Sequence, residues 1–516
     1  MTPPAGDDEV DAVVVGTGAG GAPLLARLAQ AGLRVVALEA GREWTPATDF
    51  ATDEVAQAKL FWRDERLSAG ADPLAFGANN SGIGLGGSTL HYTAYVPRPR
   101  ADDFKLRTHF GLGADWPIAH DAMLPYFAEV ERVLGVSGPA VYPWDPARRY
   151  PLPPLALNGA AQLMQRGCDA VGLRTAPGPN AAVSRAYAVD GLPERPACTN
   201  RGFCQAGCST GAKSSMDVTF VPLARLAGAE VRTEALLTGV ERDATGRIIA
   251  VLYHRNGATH RQRCRALFLC MGAIETPRFL LMHGLANGSG QVGRNFMAHT
   301  GLQLWGRFDE PVRPYKGIPG ALISEDTHRP ADADFAGGYL LQSIGVMPVT
   351  YASQVARARG LWGSALADHM QHYNHTAGIN ILGDCLPSPA NYLELSDEQD
   401  ARGLPKPRIH FTAQPNEVRL HAHADRVMRS IWNAAGARDM WAYPRFAHTI
   451  GTCRMGADPN TSVIDADGRS HDLANLYISD NSSFPSALAA NPALTIMALA
   501  LRTADRFLAR AAAGEA

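Results

Sequence analysis

The apolar positions of this chain fall into short runs broken by glycine. Val13-Val14-Val15 is such a run, and Gly16-Thr17-Gly18-Ala19-Gly20-Gly21 follows it directly. Leu24, Leu25, Leu28 and Ala29 recur at helical spacing, so the pattern predicts a helix with one apolar stripe, stopped at Gly32. Arg34-Val35-Val36-Ala37-Leu38 reads as a second strand and ends at Glu39. Further along the period changes to two. Glu230-Val231-Arg232-Thr233, Leu236 to Arg242 and Arg247 to His254 alternate as strands, with a turn at Asp243-Ala244-Thr245-Gly246. Ala266-Leu267-Phe268-Leu269-Cys270 is apolar throughout, as a parallel strand covered on both faces would be. It leads through Gly272 into a helical Thr276 to Leu281. Ala493 to Ala512 is rich in alanine and leucine, but Arg502, Asp505, Arg506 and Arg510 make it a packed amphipathic helix, not a membrane span. Gly138 to Leu155, rich in proline and aromatics, reads as a surface excursion, and Pro177 to Pro196 as irregular chain. Residues 300–440 are mixed and carry no phosphate-binding signature, which assigns them to a substrate domain.

The first of these patterns has a specific chemical meaning. Strand, glycine turn, helix, strand and acid, in that order, form a site for an adenine dinucleotide. Gly16 permits the tight turn, Gly18 lets the backbone approach a pyrophosphate, and Gly21 lets the helix pack on the strand. The helix start offers free N–H groups to the phosphates. Glu39 stands where a carboxylate binds ribose hydroxyls. The chain is therefore expected to be a redox enzyme.

Composition narrows this reading only a little. With 516 residues, 46% hydrophobic and 19% charged, the chain has the make-up of a large soluble enzyme with a sizeable core. Its formal net charge of -2 and the lack of a dense basic run argue against nucleic acid as a partner. The start, Met1 to Glu9, is short and acidic and lacks the basic and apolar parts of a secretory signal, so a cytoplasmic location is expected, with export alongside a signal-bearing partner as the alternative. Eight cysteines without such a signal do not predict a disulfide framework.

Six ordered motifs together resemble the glucose–methanol–choline (GMC) oxidoreductase family. They are the opening glycine motif, Leu85-Gly86-Gly87-Ser88-Thr89-Leu90-His91, Gly272-Ala273-Ile274-Glu275-Thr276-Pro277-Arg278, His448-Thr449-Ile450-Gly451-Thr452-Cys453-Arg454-Met455-Gly456, Asn475 to Asp480, and Ala490-Asn491-Pro492-Ala493-Leu494-Thr495. The resemblance implies FAD as the cofactor. It implies an α/β fold, α+β overall, in which a discontinuous Rossmann-type FAD-binding domain (9–100, 200–300 and 445–516) is interleaved with an antiparallel-sheet substrate domain (mainly 101–199 and 301–444). It also implies oxidation of CH–OH groups, of a sugar, glycoside or polyol, by hydride transfer to the flavin. His448 would be the base, since an ordinary imidazole pKa of ~6.5 lies near working pH. Asn491 would hold the substrate oxygen. Gly16, Gly18, Ala19, Gly20, Gly21, Glu39, Gly86, Gly87, Ser88, His91, Leu237, Gly272, Asp480, Asn491, Pro492 and Thr495 would contact the cofactor. In several family members the histidine at the place of His91 is bonded covalently to the flavin; in others it is not.

Cys198, Cys204 and Cys208 lie within eleven residues. Thiolates in such a loop can hold an iron–sulfur cluster, and the segment resembles the one that carries a [3Fe–4S] cluster in membrane-linked sugar dehydrogenases of the family. Those enzymes have an additional adjacent cysteine where this chain has Thr199, so a compact loop of reduced cysteines stands beside the cluster. A cluster would send electrons singly to a partner subunit. Two rival activities fit the same fold: an oxygen-using oxidase of a non-sugar alcohol and a non-oxidative flavin lyase. His369, His372 and His375, and the pair His421 and His423, read as surface or substrate-domain histidines rather than metal ligands.

Overall fold

A computed structural model describes residues 8–74 and 81–515. The acidic start, Met1–Asp7, lies outside the described residues.

The opening apolar runs become the centre of a seven-stranded sheet. The strand Val10–Val15 runs parallel to Val35–Leu38 on one side and to the second half of Ala258–Leu269 on the other. Glu230–Arg232 and Leu476–Ile478 extend the parallel layer at its two ends. Val35–Leu38 is buried along its length and Val10–Val15 nearly so, which is why neither run alternates with polar residues. The first half of Ala258–Leu269 leaves this layer and pairs antiparallel with Ile248–Arg255, which pairs with Leu236–Arg242. The helix Ala22–Gln30 buries Leu24, Leu25, Leu28 and Ala29 as expected, against the helices Phe220–Leu226 and Ala493–Ala512.

A second sheet has nine strands. Its long central strand, Arg294–Arg307, lies antiparallel between Thr376–Gly383 and Arg438–Thr452. Tyr339–Ile344 and Leu322–Ser324 continue it beyond Thr376–Gly383. The amphipathic helix Pro415–Ala434 covers the sheet with Leu420, Ala424, Met428 and Ile431. Its first turn is closed by Glu417, whose carboxylate accepts the Gln414 N–H at 2.6 Å. The chain is thus α/β: a dinucleotide-type parallel sheet beside a mainly antiparallel one.

One expectation changes and one open choice is settled. The stretch Gly138 to Leu155 is not merely superficial, because Tyr142 is fully buried and bonds the Glu325 carboxylate, and Leu152 is buried as well. Of the surface and substrate-domain readings of His423, its burial favours the second: its Nδ1 meets the Tyr339 hydroxyl at 2.8 Å and its Nε2 meets Asp332. Helical spacing alone could not show that this face of the helix is the covered one.

Candidate active site

The glycine turn is shaped by its neighbours. Gly16 has φ +97°, and a Cβ there would lie 2.5 Å from the Cys270 carbonyl oxygen. A Cβ on Gly21 would lie 1.9 Å from the Gly16 oxygen, and one on Gly20 1.9 Å from the Ser479 oxygen. Gly18 differs: its Cβ would meet nothing closer than 3.6 Å, so the protein itself does not require glycine there. The space is left for something else, as the pyrophosphate reading demands.

That turn opens into a cleft of 210 Å³ lined by Gly16, Gly18, Ala19, Gly20, Glu39, Gly87, Ser88, Leu237, Gly272 and Asp480, among others. Glu39 is held by the Thr17 hydroxyl at 2.7 Å and the N–H groups of Thr17, Gly41 and Gly84. Asp480 accepts from the Gly272 N–H, the Thr276 hydroxyl and the Ser482 N–H. Burial pushes both carboxyls up from their ordinary values, and these hydrogen bonds oppose the shift. Gly21, Gly86 and Thr495 lie outside the lining: Gly21 serves helix packing, Gly86 the turn, where its N–H meets the Thr17 hydroxyl at 3.1 Å, and Thr495 is buried in the first turn of the last helix.

Ala19, Ser88, Thr449, Asn481 and Ile496 also line a second cavity of 220 Å³, so the two spaces share a wall. The second cavity brings together His91, His448, Asn491 and Pro492, which the sequence places far apart. The strand Arg438–Thr452 delivers His448 through a β-bulge. Ala447 pairs with His299 and Thr449 with Ala298, so His448 is the extra residue, and its φ is +57°. The bulge turns the His448 side chain toward the second cavity, which it lines.

His299 decides how that imidazole is used. It is fully buried on the facing strand, with Nε2 at 2.8 Å from the Leu488 oxygen and 3.1 Å from the Ala487 oxygen. Carbonyls only accept, so Nε2 carries the proton. Burial pulls the His299 pKa down to about 4, so the ring is neutral and its Nδ1 is bare. That Nδ1 lies 3.2 Å from Nδ1 of His448, which must therefore donate. A neutral His448 then has its lone pair on Nε2. Its own pKa is held well below the ordinary value by burial, by His299 and by Arg445, so it is unprotonated across the neutral range.

Sequence reasoning missed His299, although a histidine directly after the apolar Phe296-Met297-Ala298 run was a signal. It also missed the polar lining supplied by the second sheet. Five cavity-lining residues, Tyr95, Gln354, Asn380, His91 and Asn491, carry a buried polar atom with no protein partner among the described residues. His91 packs edge-on against Phe61, and burial together with Lys213 lowers its pKa to about 3.

Cys198, Cys204 and Cys208 line one separate pocket of about 40 Å³, and no described cysteine is in a disulfide. Burial raises the Cys204 thiol to about 12. The Cys208 thiol is also buried, but hydrogen bonds from Thr210 and Lys213 outweigh this and hold it below its ordinary value. The buried Lys213 ammonium donates to the Leu90 and Cys204 carbonyls, tying the His91 loop to the cysteine loop. Among the described residues, Asp102, Asp103 and His328 are the one set of three metal-competent groups within 4.8 Å of one another. Arg329 already occupies both carboxylates, so the set reads as an ion network.

Comparison with known proteins agrees with this geometry. The chain matches the family models for the two parts of GMC oxidoreductases, over residues 75–301 and 387–500. It is 29% identical to the fructose dehydrogenase large subunit of Gluconobacter japonicus, covering 96% of this chain and 97% of that protein. It is 30% identical to 2-methyl-1,2-propanediol dehydrogenase of Mycolicibacterium austroafricanum (96% and 95% covered) and 31% identical to paromamine 6'-oxidase of Streptomyces fradiae (96% and 91%). In fold it resembles formate oxidase of Aspergillus oryzae RIB40, with a TM-score of 0.72 at 15% identity over 98% of this chain and 99% of the other. The chain belongs to the GMC oxidoreductase family. It is an FAD-dependent oxidoreductase that acts on the CH–OH group of alcohol or sugar-like substrates. Among the described residues no helix is long and apolar enough to cross a membrane.

Proposed function

We propose that this protein oxidises a CH–OH group of a sugar, glycoside or polyol, with His448 as the base. The carrying observation is a bare imidazole nitrogen in a cavity that shares a wall with the nucleotide cleft. The glycine turn, Glu39 and Asp480 would hold FAD in that cleft, and the room left at Gly18 fits its pyrophosphate. Bound FAD supplies the acceptor for the hydride that leaves the carbinol carbon. Nε2 of His448 takes the hydroxyl proton as the C–H electron pair departs, so carbonyl product and imidazolium form together. The Asn491 amide donates to the substrate oxygen and holds it while charge builds there. Burial, with His299 and Arg445 beside it, makes the imidazole a weak base, so the proton moves only as the hydride leaves. The unpaired polar atoms of Tyr95, Gln354 and Asn380 suit a ligand with several hydroxyls. The activities named for fructose dehydrogenase and paromamine 6'-oxidase support the same substrate class.

The test is anaerobic bleaching of the purified holoenzyme's flavin absorbance by a panel of sugars, glycosides and polyols. Reduction by at least one of them, lost on the order of 100-fold or more in His448→Gln, is expected. A flavin that no such compound reduces would remove the reading.

A second reading concerns the electron route. The three thiols on one pocket are of the ligand type a [3Fe–4S] cluster takes, and such a cluster would pass electrons singly to a partner subunit. Iron analysis of protein purified without oxygen decides it: about three irons per flavin support the cluster, and iron-free yellow protein makes the cysteines structural.

A further inference from the structure

Among the described residues the substrate cavity is lined by no aspartate, glutamate or lysine, and its one permanently charged side chain is Arg445. Among the described residues the Arg445 guanidinium has no carboxylate within 4.0 Å and no hydrogen bond. Four other guanidiniums that are buried or nearly so each have a carboxylate partner. Arg66 meets Glu275 at 2.9 Å, Arg98 meets Glu131 at 2.6 Å, Arg278 meets Asp400 at 2.7 Å and Arg502 meets Asp467 at 3.0 Å. Arg445 is partly buried, with its guanidinium open to the cavity; a charge held there without a counter-charge is costly, and a guanidinium cannot escape that cost by releasing its proton. An unpaired one facing a ligand cavity is therefore a site for an anion.

The backbone makes room for it. Arg445 pairs across the sheet with Gly301, and a Cβ on Gly301 would lie 2.9 Å from the Arg445 oxygen and 3.1 Å from its Cγ. Gly301 in turn pairs with Leu382, and one step along the same face stand Asn380 and Gln342, which line the cavity. Arg445 lines the substrate cavity and not the nucleotide cleft, so its anion is not one of the cofactor phosphates. With one guanidinium and no second cation, a singly charged carboxylate balances the site, whereas a doubly charged phosphate ester leaves excess negative charge.

We propose that Arg445 forms a carboxylate subsite and that the substrate is a polyhydroxy acid, oxidised at a CH–OH group remote from its carboxylate. The inference rests on the reading of this cavity as the substrate site. Arg445 and His448 are three residues apart on one strand, at most roughly 10 Å between Cα atoms at ~3.3 Å per residue. A five- or six-carbon sugar acid can reach both side chains.

The experiment compares matched acid and neutral substrates, D-gluconate against D-glucitol and D-glucuronate against D-glucose, with the holoenzyme and an artificial dye acceptor. Wild type should favour one acid over its neutral partner in kcat/KM. In Arg445→Gln that acid-to-neutral ratio should fall roughly 30-fold or more, the loss expected when one member of a buried charge pair is removed. Arg445→Lys should keep part of it. Pentanoate, a monocarboxylate with no CH–OH to oxidise, should bind wild type and compete with the substrate, so the test survives if the glutamine variant does not fold. Oxidation of neutral polyols with no acid preference and no pentanoate competition would overturn the subsite and leave the general function standing. If no CH–OH compound of either kind is oxidised, the general function fails instead. Pentanoate binding measured by calorimetry, present in wild type and weakened in the variants, then decides the subsite alone.

Discussion

Replacing His299 by phenylalanine would test the orientation of the His448 imidazole proposed as the base. The ring keeps its volume and its burial but loses both nitrogens. Nδ1–H of His448 would then face a hydrocarbon ring instead of the acceptor now 3.2 Å away. Leaving a buried donor unsatisfied costs ~1–3 kcal/mol. The alternative is for the proton to shift to Nε2 of His448, which removes the lone pair from the substrate side and costs reactivity by a comparable amount. At ~1.4 kcal/mol per tenfold, either route lowers kcat/KM by roughly 5- to 150-fold. The loss should fall mainly on the hydride-transfer step, measured as the rate of anaerobic flavin bleaching by saturating substrate. Flavin content should stay at one per chain, because His299 does not line the nucleotide cleft. His299→Asn, whose amide oxygen stands near the place of Nδ1, should recover part of the rate. Wild-type bleaching in a fully flavinylated phenylalanine variant would refute the tautomer argument.

Four further expectations follow from the same geometry. Asn491→Ala should lower kcat on the order of 100-fold, the usual loss for one donor on a developing oxyanion, in steady-state assays with flavin content unchanged. Gly21→Ala puts a methyl 1.9 Å from the Gly16 oxygen and should cost ~1–3 kcal/mol and weaken FAD retention, seen as a lower melting temperature and colourless protein. Acid stability should decline early. His299 and His91 have folded pKa values of about 4 and about 3, below the ordinary 6.5, so the unfolded chain binds protons that the folded one refuses. Their contribution is complete above pH 6.5 and is lost as the pH falls toward 4 and 3, about 3 kcal/mol for His299 alone; denaturant titrations between pH 7 and 4 should show it, and His299→Phe should flatten the curve. If His91 is bonded to the flavin, acid precipitation should leave yellow colour in the pellet and His91→Ala should release it; colour wholly in the supernatant of wild type would exclude the bond.

What the chain carries locally could be read from the sequence alone. The apolar runs at Val13–Val15, Val35–Leu38 and Ala266–Leu269 became neighbouring parallel strands because a strand covered on both faces must be apolar at every position. The turn glycines and Glu39 were legible because a phosphate turn constrains contiguous backbone. The final helix was legible because its length and its charges decide between packing and spanning. The motif histidine and asparagine could be named, but not the reason for their use. Which nitrogen of His448 is free depends on His299, a strand 149 residues away, and on carbonyls from Ala487 and Leu488. Whether Arg445 has a partner depends on which side chains the second sheet turns toward it. Hydrogen-bond direction and charge balance are properties of groups brought together from distant parts of the chain, so only the tertiary structure decided them.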